Sequence, residues 1–262
     1  MSTINIAFGV TEDWLEYSFI TMCSILSNCD KNYDYKFFIL SNISEEKYAK
    51  TYEKFSIKLS QIFPFFIEYI KLETSDFENI VHDERVGISA YFRLKLSSKT
   101  TVNKLIYLDS DLILKNDISK LWNINLGTNF LGAVEDKYSA LMTQKANLND
   151  NDTYYNSGVL LMNLEEFRNS NLEEKIFQKL KEPNNDYSDQ DVLNDLCRGR
   201  ILSLPLKYNL MLPPDDPNSF PKRKREYNDA LKNPWILHYS IKPWILPVQY
   251  SEHWREYKER LN

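Results

Sequence analysis

Two aspartates one residue apart follow directly on a short apolar run, and this spacing suits a divalent cation. Residues 105–108 read Leu-Ile-Tyr-Leu, a run that is too short for a helix and typical of a strand buried on both faces. Asp109 and Asp111 come next, so both carboxylates can face one side of the turn that ends the strand. Hard oxygen ligands of this kind suit Mg²⁺ or Mn²⁺, and a metal there would bind a diphosphate. An acidic turn without a ligand is the alternative interpretation.

The position of this pair matters more than the pattern itself. Asp-x-Asp occurs three times, at Asp109/Asp111, Asp150/Asp152 and Asp189/Asp191. The second pair lies in a polar stretch that is most simply a solvated loop. The first pair follows a buried-strand pattern, at the place where open α/β sheets bind ligands. We therefore expect the chemistry to centre on the first pair.

Composition narrows the class of protein. The chain has 262 residues, of which 43% are hydrophobic and 14% aromatic, so we expect a sizeable core. The net charge of −5 argues against a general nucleic-acid binder. With six glycines and no glycine-rich phosphate loop, a nucleotide would have to be held through a metal. The three cysteines lack C-x-x-C spacing and are expected to be reduced thiols.

Neither a leader pattern nor an apolar run of about 18 residues is visible, so a cytoplasmic protein without a transmembrane segment is expected. The basic run at residues 222–225 has two interpretations. It is a solvated loop, or it makes peripheral contact with an anionic acceptor or with the inner face of the membrane.

Strands and helices alternate in the first half of the chain. Strand patterns cover residues 4–10, 35–40, 64–71 and 105–108. Helical patterns cover residues 14–26, a segment begun by Ser44, and residues 89–96. This alternation predicts an α/β fold with a mostly parallel central sheet flanked by helices.

The second half is less regular, and nothing in it marks a domain boundary. Strands are predicted at residues 130–134, 158–163, 201–204 and 235–239, and helices at 164–181, 188–197 and 251–261. Residues 212–234 carry five prolines and are predicted to form a long loop. One domain over residues 1–262 is therefore expected.

Five segments, in this order, strongly resemble glycosyltransferase family 8. They are residues 89–96 (SAYFRLKL), 107–111 (YLDSD), 156–163 (NSGVLLMN), 189–194 (DQDVLN) and 238–244 (HYSIKPW). The likeness runs from Ile4 to about Tyr257. It implies a Rossmann-like nucleotide-sugar-binding fold of the GT-A type, with a nucleotide-binding half (1–111) and a sugar and acceptor half (112–262).

The resemblance also implies an activity. Family members, which include glycogenin and bacterial lipopolysaccharide galactosyl- and glucosyltransferases, transfer a hexose from a UDP-sugar with retention of anomeric configuration. The implied donor is UDP-galactose or UDP-glucose, the implied cofactor is Mn²⁺ with Mg²⁺ as the alternative, and the acceptor is a hydroxyl of a glycan, glycolipid or glycoprotein. A metal-dependent sugar nucleotidyltransferase and a non-catalytic nucleotide-sugar-binding protein remain alternatives.

Each motif residue receives a role from the resemblance. The implied metal ligands are Asp109, Asp111 and His238, and the residues that would bind the donor are Gly9, Val10, Thr11, Asp13, Arg93, Ser110, Asp136, Asn156 and Lys242. Local alternatives exist for several of them: a satisfied histidine near a strand end, a surface lysine, a helix-surface ion pair for Arg93, and a turn residue for Asn156. Asp189 and Gln190 are the implied catalytic residues, although Asp189 would also serve as a helix N-cap.

Retention leaves two routes for these catalytic residues. Asp189 would form a covalent glycosyl intermediate, or the acceptor would attack from the leaving-group face while Gln190 stabilises an oxocarbenium-like state. We favour the second route because a neutral amide is a poor nucleophile.

The sequence departs from the family pattern at two places. Thr11 stands where the family usually has an aspartate that contacts the uracil, and a threonine is shorter and uncharged. The family spacing H-x-x-G-x-x-K is shortened here, since three residues separate His238 from Lys242 and the glycine is missing. The shorter loop loses several Å of reach, so we expect Lys242 to meet the phosphates differently.

Overall fold

The computed structural model describes residues 2–80, 87–143, 146, 148–149, 152–182, 187–212, 220 and 223–262. Asp150 and Lys222, which belong to motifs noted above, lie outside the described residues. The strands are β1 (Ser2–Gly9), β2 (Tyr33–Ser41), β3 (Phe66–Lys71), β4 (Lys104–Leu108), β5 (Leu112–Leu114), β6 (Leu131–Glu135), β7 (Tyr155–Asn163), β8 (Ile201–Ser203), β9 (Leu210–Leu212) and β10 (Ile236–Tyr239).

The helices lie between these strands. They are α1 (Glu12–Ser27), α2 (Glu45–Ile62), α3 (Ser89–Phe92), α4 (Leu96–Lys99), α5 (Ser119–Trp122), α6 (Ser139–Met142), α7 (Leu164–Asn169), α8 (Leu172–Leu180), α9 (Asp189–Leu196), α10 (Lys224–Lys232) and α11 (Ser251–Leu261). Short 3₁₀ turns occupy Thr74–Phe77, Arg93–Lys95 and Leu206–Tyr208. Among the described residues, no helix combines the length and the apolarity that crossing a membrane would need.

The main sheet is mostly parallel, which confirms the predicted α/β fold class. Its strand order is β3-β2-β1-β4-β7-β6-β8, and β7 runs antiparallel to both of its neighbours while the other pairs are parallel. Ala7 of β1 pairs with Tyr107 of β4, so Gly9 and Asp109 leave the sheet at the same edge. Because β7 is antiparallel, its amino-terminal end reaches that edge too, and Val159 pairs with Leu108.

A small second sheet, in the order β5-β10-β9, completes this edge. His238 of β10 pairs with Leu112 of the antiparallel β5 and with Met211 of the parallel β9. Both β5 and β9 are three-residue strands that the sequence patterns did not predict. Their pairing brings β10, which is distant in sequence, beside the turn that follows β4.

Helix α1 packs against β5, the strand that follows this turn. Glu12 and Asp13 in its first turn face the positive end of the helix dipole, and most of its later residues are buried. The Thr21 hydroxyl donates to the carbonyl of Leu112 (2.9 Å), and the Ser24 hydroxyl accepts from the amide of Leu114 (3.0 Å). Small polar side chains on a buried helix therefore satisfy the backbone of β5.

Three predicted elements were wrong in detail. The helix expected over 164–181 is two helices, because Asn171 takes a left-handed backbone (φ 50°) between α7 and α8. The loop expected over 212–234 contains α10, in which Tyr227 and Ala230 are buried. The helix expected over 89–96 is interrupted, since Arg93–Lys95 forms a 3₁₀ turn between α3 and α4.

The core lies on both faces of the main sheet. On one face α1, α2 and α11 cover β1 and β2, with Phe8, Phe19 and Phe37 fully buried. On the other face α3 lies against β1 and β2. α7 and α9 lie against β4 and β7, with α8 packed on both helices, and the core there includes Tyr107 and Met162. Each fully buried aromatic or aliphatic side chain contributes about 1.5–3 kcal/mol relative to exposure, so the central strands form a rigid support for their ends.

Candidate active site and metal centre

Three predicted metal ligands meet at the common edge of the two sheets. The ligand atoms of Asp109, Asp111 and His238 all lie within 4.8 Å of one another, and we call these three residues the metal cluster. Asp109 is fixed by its amide, which donates to the carbonyl of Gly158 (2.9 Å). The amide of Tyr239 donates to the carbonyl of Asp111 (3.1 Å), so β10 holds His238 against the turn that carries the aspartates.

The chemistry of the metal cluster fits a divalent cation. Asp111 is 6% exposed, and its Oδ1 has no hydrogen-bond partner among the described residues. His238 Nε2 lies 3.4 Å from that Oδ1 and 4.0 Å from Asp109 Oδ2. A buried carboxylate oxygen without a partner is costly, and two carboxylates with one imidazole form a donor set that Mn²⁺ and Mg²⁺ accept.

Glycine is required beside the metal cluster. A Cβ atom on Gly158 would lie 2.5 Å from His238 Cε1 and 2.8 Å from Asp109 Oδ2, which is closer than side-chain atoms approach. The backbone of β7 therefore passes directly behind the cluster. Gly158 was not among the predicted site residues, although its place in the Asn-Ser-Gly segment at the start of a strand was a usable signal.

Lys242 lies at the metal cluster, as a charged partner of Asp111. Its Nζ donates to Asp111 Oδ2 and to the carbonyl of Tyr239 (2.9 Å). Burial alone would raise the pKa of Asp111, but His238 and Lys242 outweigh it and hold that pKa far below its usual range. Asp111 is thus ionised at neutral pH, and Lys242 is not the free surface lysine of the alternative interpretation.

Arg93 connects the metal cluster to helix α9. It is 3% exposed, so the surface ion pair considered above is wrong. Its Nη2 donates to Asp109 Oδ1 (2.8 Å), its Nε lies 3.2 Å from Asp189 Oδ2, and Nη1 donates to the carbonyl of Ser157. Burial would lower the pKa of Arg93, yet Asp109 and Asp189 raise it, and the guanidinium lies 4.2 Å over the Tyr107 ring.

Asp189 and Gln190 begin α9 but do not cap it. Ser188 is the N-cap and forms a capping box with Asp191, so the N-cap alternative for Asp189 is wrong. Asp189 is 2% exposed and accepts from the Ser157 hydroxyl (2.9 Å). Burial raises the pKa of Asp189 above its usual value, against the opposing charge of Arg93.

Asp136, Asn156 and Gln190 join in a hydrogen-bonded set that also contains a residue we did not predict. Asp136 Oδ2 accepts from Asn156 Nδ2 (2.9 Å) and from Gln190 Nε2 (3.2 Å). Asn209, which is 1% exposed, donates from Nδ2 to Asn156 Oδ1 (2.8 Å) and faces His238 Nδ1 with its Oδ1 (2.9 Å). We call Asp136, Asn156, Gln190 and Asn209 the amide network.

The residues that follow β1 lead into the first turn of α1. Val10 is fully buried and donates its amide to the carbonyl of Leu40, so its side chain is not available to a ligand. Thr11 is the N-cap of α1, but its hydroxyl makes no capping hydrogen bond, and Asp13 lies exposed in the first turn. Trp14, which was not predicted, faces the cavity, with Lys242 Nζ 5.4 Å from the centre of its ring.

A cavity of about 630 Å³ joins these groups, a volume in the range of small-molecule sites. Of the predicted residues, its lining includes Gly9, Arg93, Asp109, Ser110, Asp111, Asp189, Gln190 and Lys242, and it adds Trp14, Ser89, Ala90, Met142, Tyr154, Ser157 and Ser188. Asp109, Asp111 and Lys242 of this lining belong to the metal cluster or contact it, and α9 contributes the carboxylate of Asp189 and the amide of Gln190. The cavity can therefore hold an anionic group beside a polar one.

Known proteins resemble this chain in sequence. The family model described as "Glycosyl transferase family 8" matches residues 5–245. The general stress protein A of Bacillus subtilis (strain 168) is 29% identical over 234 residues, which cover 84% of this chain and 80% of that protein. The lipopolysaccharide 1,2-glucosyltransferase of Escherichia coli K12 is 28% identical over 213 residues, covering 79% of this chain and 62% of that protein. The chain thus matches less than two thirds of the second relative.

Solved structures share the fold. The galactosyltransferase LgtC, crystallised with donor and acceptor sugar analogues, superposes with a TM-score of 0.77 at 24% identity and covers 98% of this chain and 95% of that one. The bifunctional glycosyltransferase WbbM gives 0.83 at 22% identity, covering 98% of this chain and 49% of that one. These likenesses identify the fold, and the family match over residues 5–245 shows that the chain belongs to glycosyl transferase family 8.

Proposed function

We propose that this protein transfers galactose or glucose from a UDP-sugar to a hydroxyl of a glycan or glycoconjugate, with retention and with a divalent metal. The observation that carries the proposal is the metal cluster with its unpartnered Asp111 Oδ1, because Asp109 and Asp111 line a cavity that Asp189 and Gln190 also line. The family supports the reaction class, and the name of the glucosyltransferase relative supports a hexose.

The charged side of the cavity would hold the diphosphate. Asp109, Asp111 and His238 would bind Mn²⁺ or Mg²⁺, which supplies charge neutralisation for the departing nucleoside diphosphate. Lys242 adds a second cation, and its present partner Asp111 Oδ2 keeps it at the same place. The short loop between His238 and Lys242 therefore places Lys242 by its contact with Asp111.

The nucleoside would lie along the start of α1. The Trp14 indole offers an aromatic face to the base, and the Thr11 hydroxyl, free of a capping bond, offers a short donor or acceptor. Asp13 is exposed on the same turn and would meet the ribose. Gly9 allows α3 to approach the end of β1 closely, since a Cβ atom there would lie 3.0 Å from the carbonyl of Ser89.

The sugar would lie against α9 and the amide network. Asp136, Asn156 and Gln190 present fixed acceptors and donors of the kind that hexose hydroxyls require. Asp189 is 2% exposed, and its Oδ2 is held by the Ser157 hydroxyl and by Arg93, so this carboxylate is poorly placed to attack a sugar carbon. We therefore favour attack from the leaving-group face, with the Gln190 amide stabilising positive charge on the sugar.

Nucleotide release from a panel of UDP-, GDP-, ADP- and TDP-sugars, with Mn²⁺ and then with chelator, tests the proposal. We expect UDP, and no pyrophosphate, to be released from one hexose donor in a metal-dependent way. Asp109→Asn should abolish release, whereas Asp229→Asn, which changes an exposed residue of α10, should not. Pyrophosphate release from a nucleoside triphosphate would favour the nucleotidyltransferase alternative. If the protein neither turns over nor binds any of these donors, the proposal is overturned.

A further inference from the structure

We propose that Asn209 is a positioning residue that fixes the ring of His238 and couples the metal cluster to the sugar side of the cavity. Asn209 follows the 3₁₀ turn Leu206–Tyr208 and precedes β9, which pairs with the strand that carries His238. Its side chain lies between His238 Nδ1 (2.9 Å) and Asn156 Oδ1 (2.8 Å). This inference rests on the proposed metal site.

The hydrogen-bond directions follow from one backbone group. The Gly158 amide is a donor in every state and bonds Asn156 Oδ1 (2.9 Å). Asn156 therefore presents its oxygen, and Asn209 must donate to it from Nδ2. The Asn209 oxygen is left to face His238.

The consequence is a defined tautomer of His238. With the Asn209 oxygen as its partner, neutral His238 carries its proton on Nδ1. The lone pair of Nε2 then points to the side where Asp111 Oδ1 lies at 3.4 Å. Metal-bound histidines are commonly oriented by a second partner in this way, and loss of that partner lowers metal affinity by about 10- to 100-fold.

The Asn209 side chain is also linked, through Asn156, to the residues proposed to bind the sugar. Asn156 donates to Asp136, and Asp136 also accepts from Gln190. One asparagine is suited to both tasks because its side chain has an acceptor and a donor on one carbon. Asn209 therefore holds a metal ligand and a sugar-facing amide at a fixed separation.

Two substitutions separate these tasks. Asn209→Leu removes both contacts, so Mn²⁺ affinity, measured by electron paramagnetic resonance of the free ion, should fall about 10- to 100-fold. Asn209→Asp keeps an acceptor for His238 but loses the donor to Asn156. It should bind Mn²⁺ as tightly as the wild type or more tightly, while UDP-sugar turnover at saturating Mn²⁺ falls.

A partly buried control asks whether loss of any hydrogen-bonded amide has this effect. Asn28 bonds the Leu114 carbonyl and the Tyr257 hydroxyl at the end of α1, away from the cavity. Asn28→Ala should lower the unfolding temperature but leave Mn²⁺ affinity unchanged. Equal loss of affinity in Asn209→Asp and Asn209→Leu would reduce Asn209 to a packing role and overturn the inference.

A metal-free readout distinguishes failure of the inference from failure of the metal site. Long-range ¹H–¹⁵N spectra of the wild-type protein, at a pH where His238 is neutral, should show the proton on Nδ1, and Asn209→Leu should show a mixture of tautomers. A proton on Nε2 in the wild type overturns the inference whether or not metal binds. No Mn²⁺ binding by a wild type with the proton on Nδ1 overturns the metal site and, with it, the coupling. If Asn209→Leu does not fold, the Mn²⁺ affinity and turnover of Asn209→Asp and the His238 tautomer in the wild-type spectrum still test the inference.

Discussion

At the metal cluster a buried oxygen of Asp111 has no hydrogen-bond partner among the described residues, whereas in the amide network Asp136, Asn156 and Gln190 bond one another. The two regions also shift carboxyl pKa values in opposite directions. His238 and Lys242 hold the pKa of Asp111 down, and burial raises that of Asp189, which precedes Gln190 of the network in α9. One side of the cavity is thus built to be completed by a ligand, and the other is already ordered.

This difference predicts how each region contributes to the binding of the cation and of the sugar. A buried carboxylate oxygen that lacks a partner raises the free energy of the metal-free protein, so a cation that bonds it gains affinity from the fold. The hydrogen bonds of the amide network hold its side chains in place before the sugar arrives, which lowers the entropy lost on binding. Substitutions at the two sides should consequently change different measurements.

The largest effect is expected at the metal cluster. Asp111→Asn replaces an ionised ligand by a neutral amide, so metal affinity should collapse and turnover at fixed Mn²⁺ should fall by at least about 10²- to 10³-fold. Isothermal titration with Mn²⁺ and a UDP-release assay measure both. Unchanged Mn²⁺ affinity would remove Asp111 from the metal site.

Gly158→Ala is expected to disturb both sides at once. The new methyl group would meet His238 Cε1 at 2.5 Å, and such overpacking typically destabilises a protein by about 1–3 kcal/mol. Urea unfolding should show this loss together with weaker Mn²⁺ binding. Gly132→Ala is the control: its Cβ meets the tip of the Leu126 side chain at 3.1 Å, so metal binding should persist. Equal Mn²⁺ affinities in the two variants would contradict the close approach of β7.

Gln190→Ala should separate the two sides. It removes the acceptor of the Ser157 amide and one donor to Asp136, while the metal cluster is untouched. We expect kcat to fall by about 10- to 100-fold, corresponding to about 1.4–2.7 kcal/mol, with Mn²⁺ affinity unchanged. Steady-state kinetics and metal titration on the same preparation test this, and a parallel loss of Mn²⁺ affinity would mean that the two sides are not separable in this way.

The smallest expected effect is a pH dependence of stability from Asp189. Because its folded pKa lies above the unfolded value, the folded state takes up this proton first as the pH falls. Ionised Asp189 therefore destabilises the folded state at neutral pH, and this penalty is relieved as the pH falls through the folded pKa toward the unfolded one. Comparing urea midpoints of wild type and Asp189→Asn between neutral pH and about pH 4 should show that the variant lacks this relative gain. Identical pH profiles would argue that Asp189 has an ordinary pKa.

The elements that local patterns predicted well are those whose signal lies in a few adjacent residues. The apolar run 105–108 followed by two aspartates identified β4 and its turn, and parallel strands covered by helices require such continuous apolarity. The helix after Ser44 was marked by its capping residue, which accepts from the amide of Lys47. These signals are local because hydrogen bonding and burial within each element depend on a few adjacent residues.

The sequence patterns did not predict the short strands or the single side chains that complete the site. β5 and β9 have three residues each, too few to show a period. Asn209 is one asparagine among many, and its importance depends on His238 and Asn156, which are distant in sequence. Trp14 was not predicted as a site residue, because nothing in its local sequence shows that α1 begins beside a cavity.

The sequence by itself determined the fold class, the strand that ends in Asp109 and Asp111, and the family to which the chain belongs. Tertiary structure alone decided that an antiparallel β7 delivers Gly158 behind the metal cluster and that a small sheet brings His238 to Asp111. It also decided that Arg93 is buried between two carboxylates. The reason is physical: burial and pKa depend on groups that the chain brings together from far apart, and local residue patterns do not contain those distances.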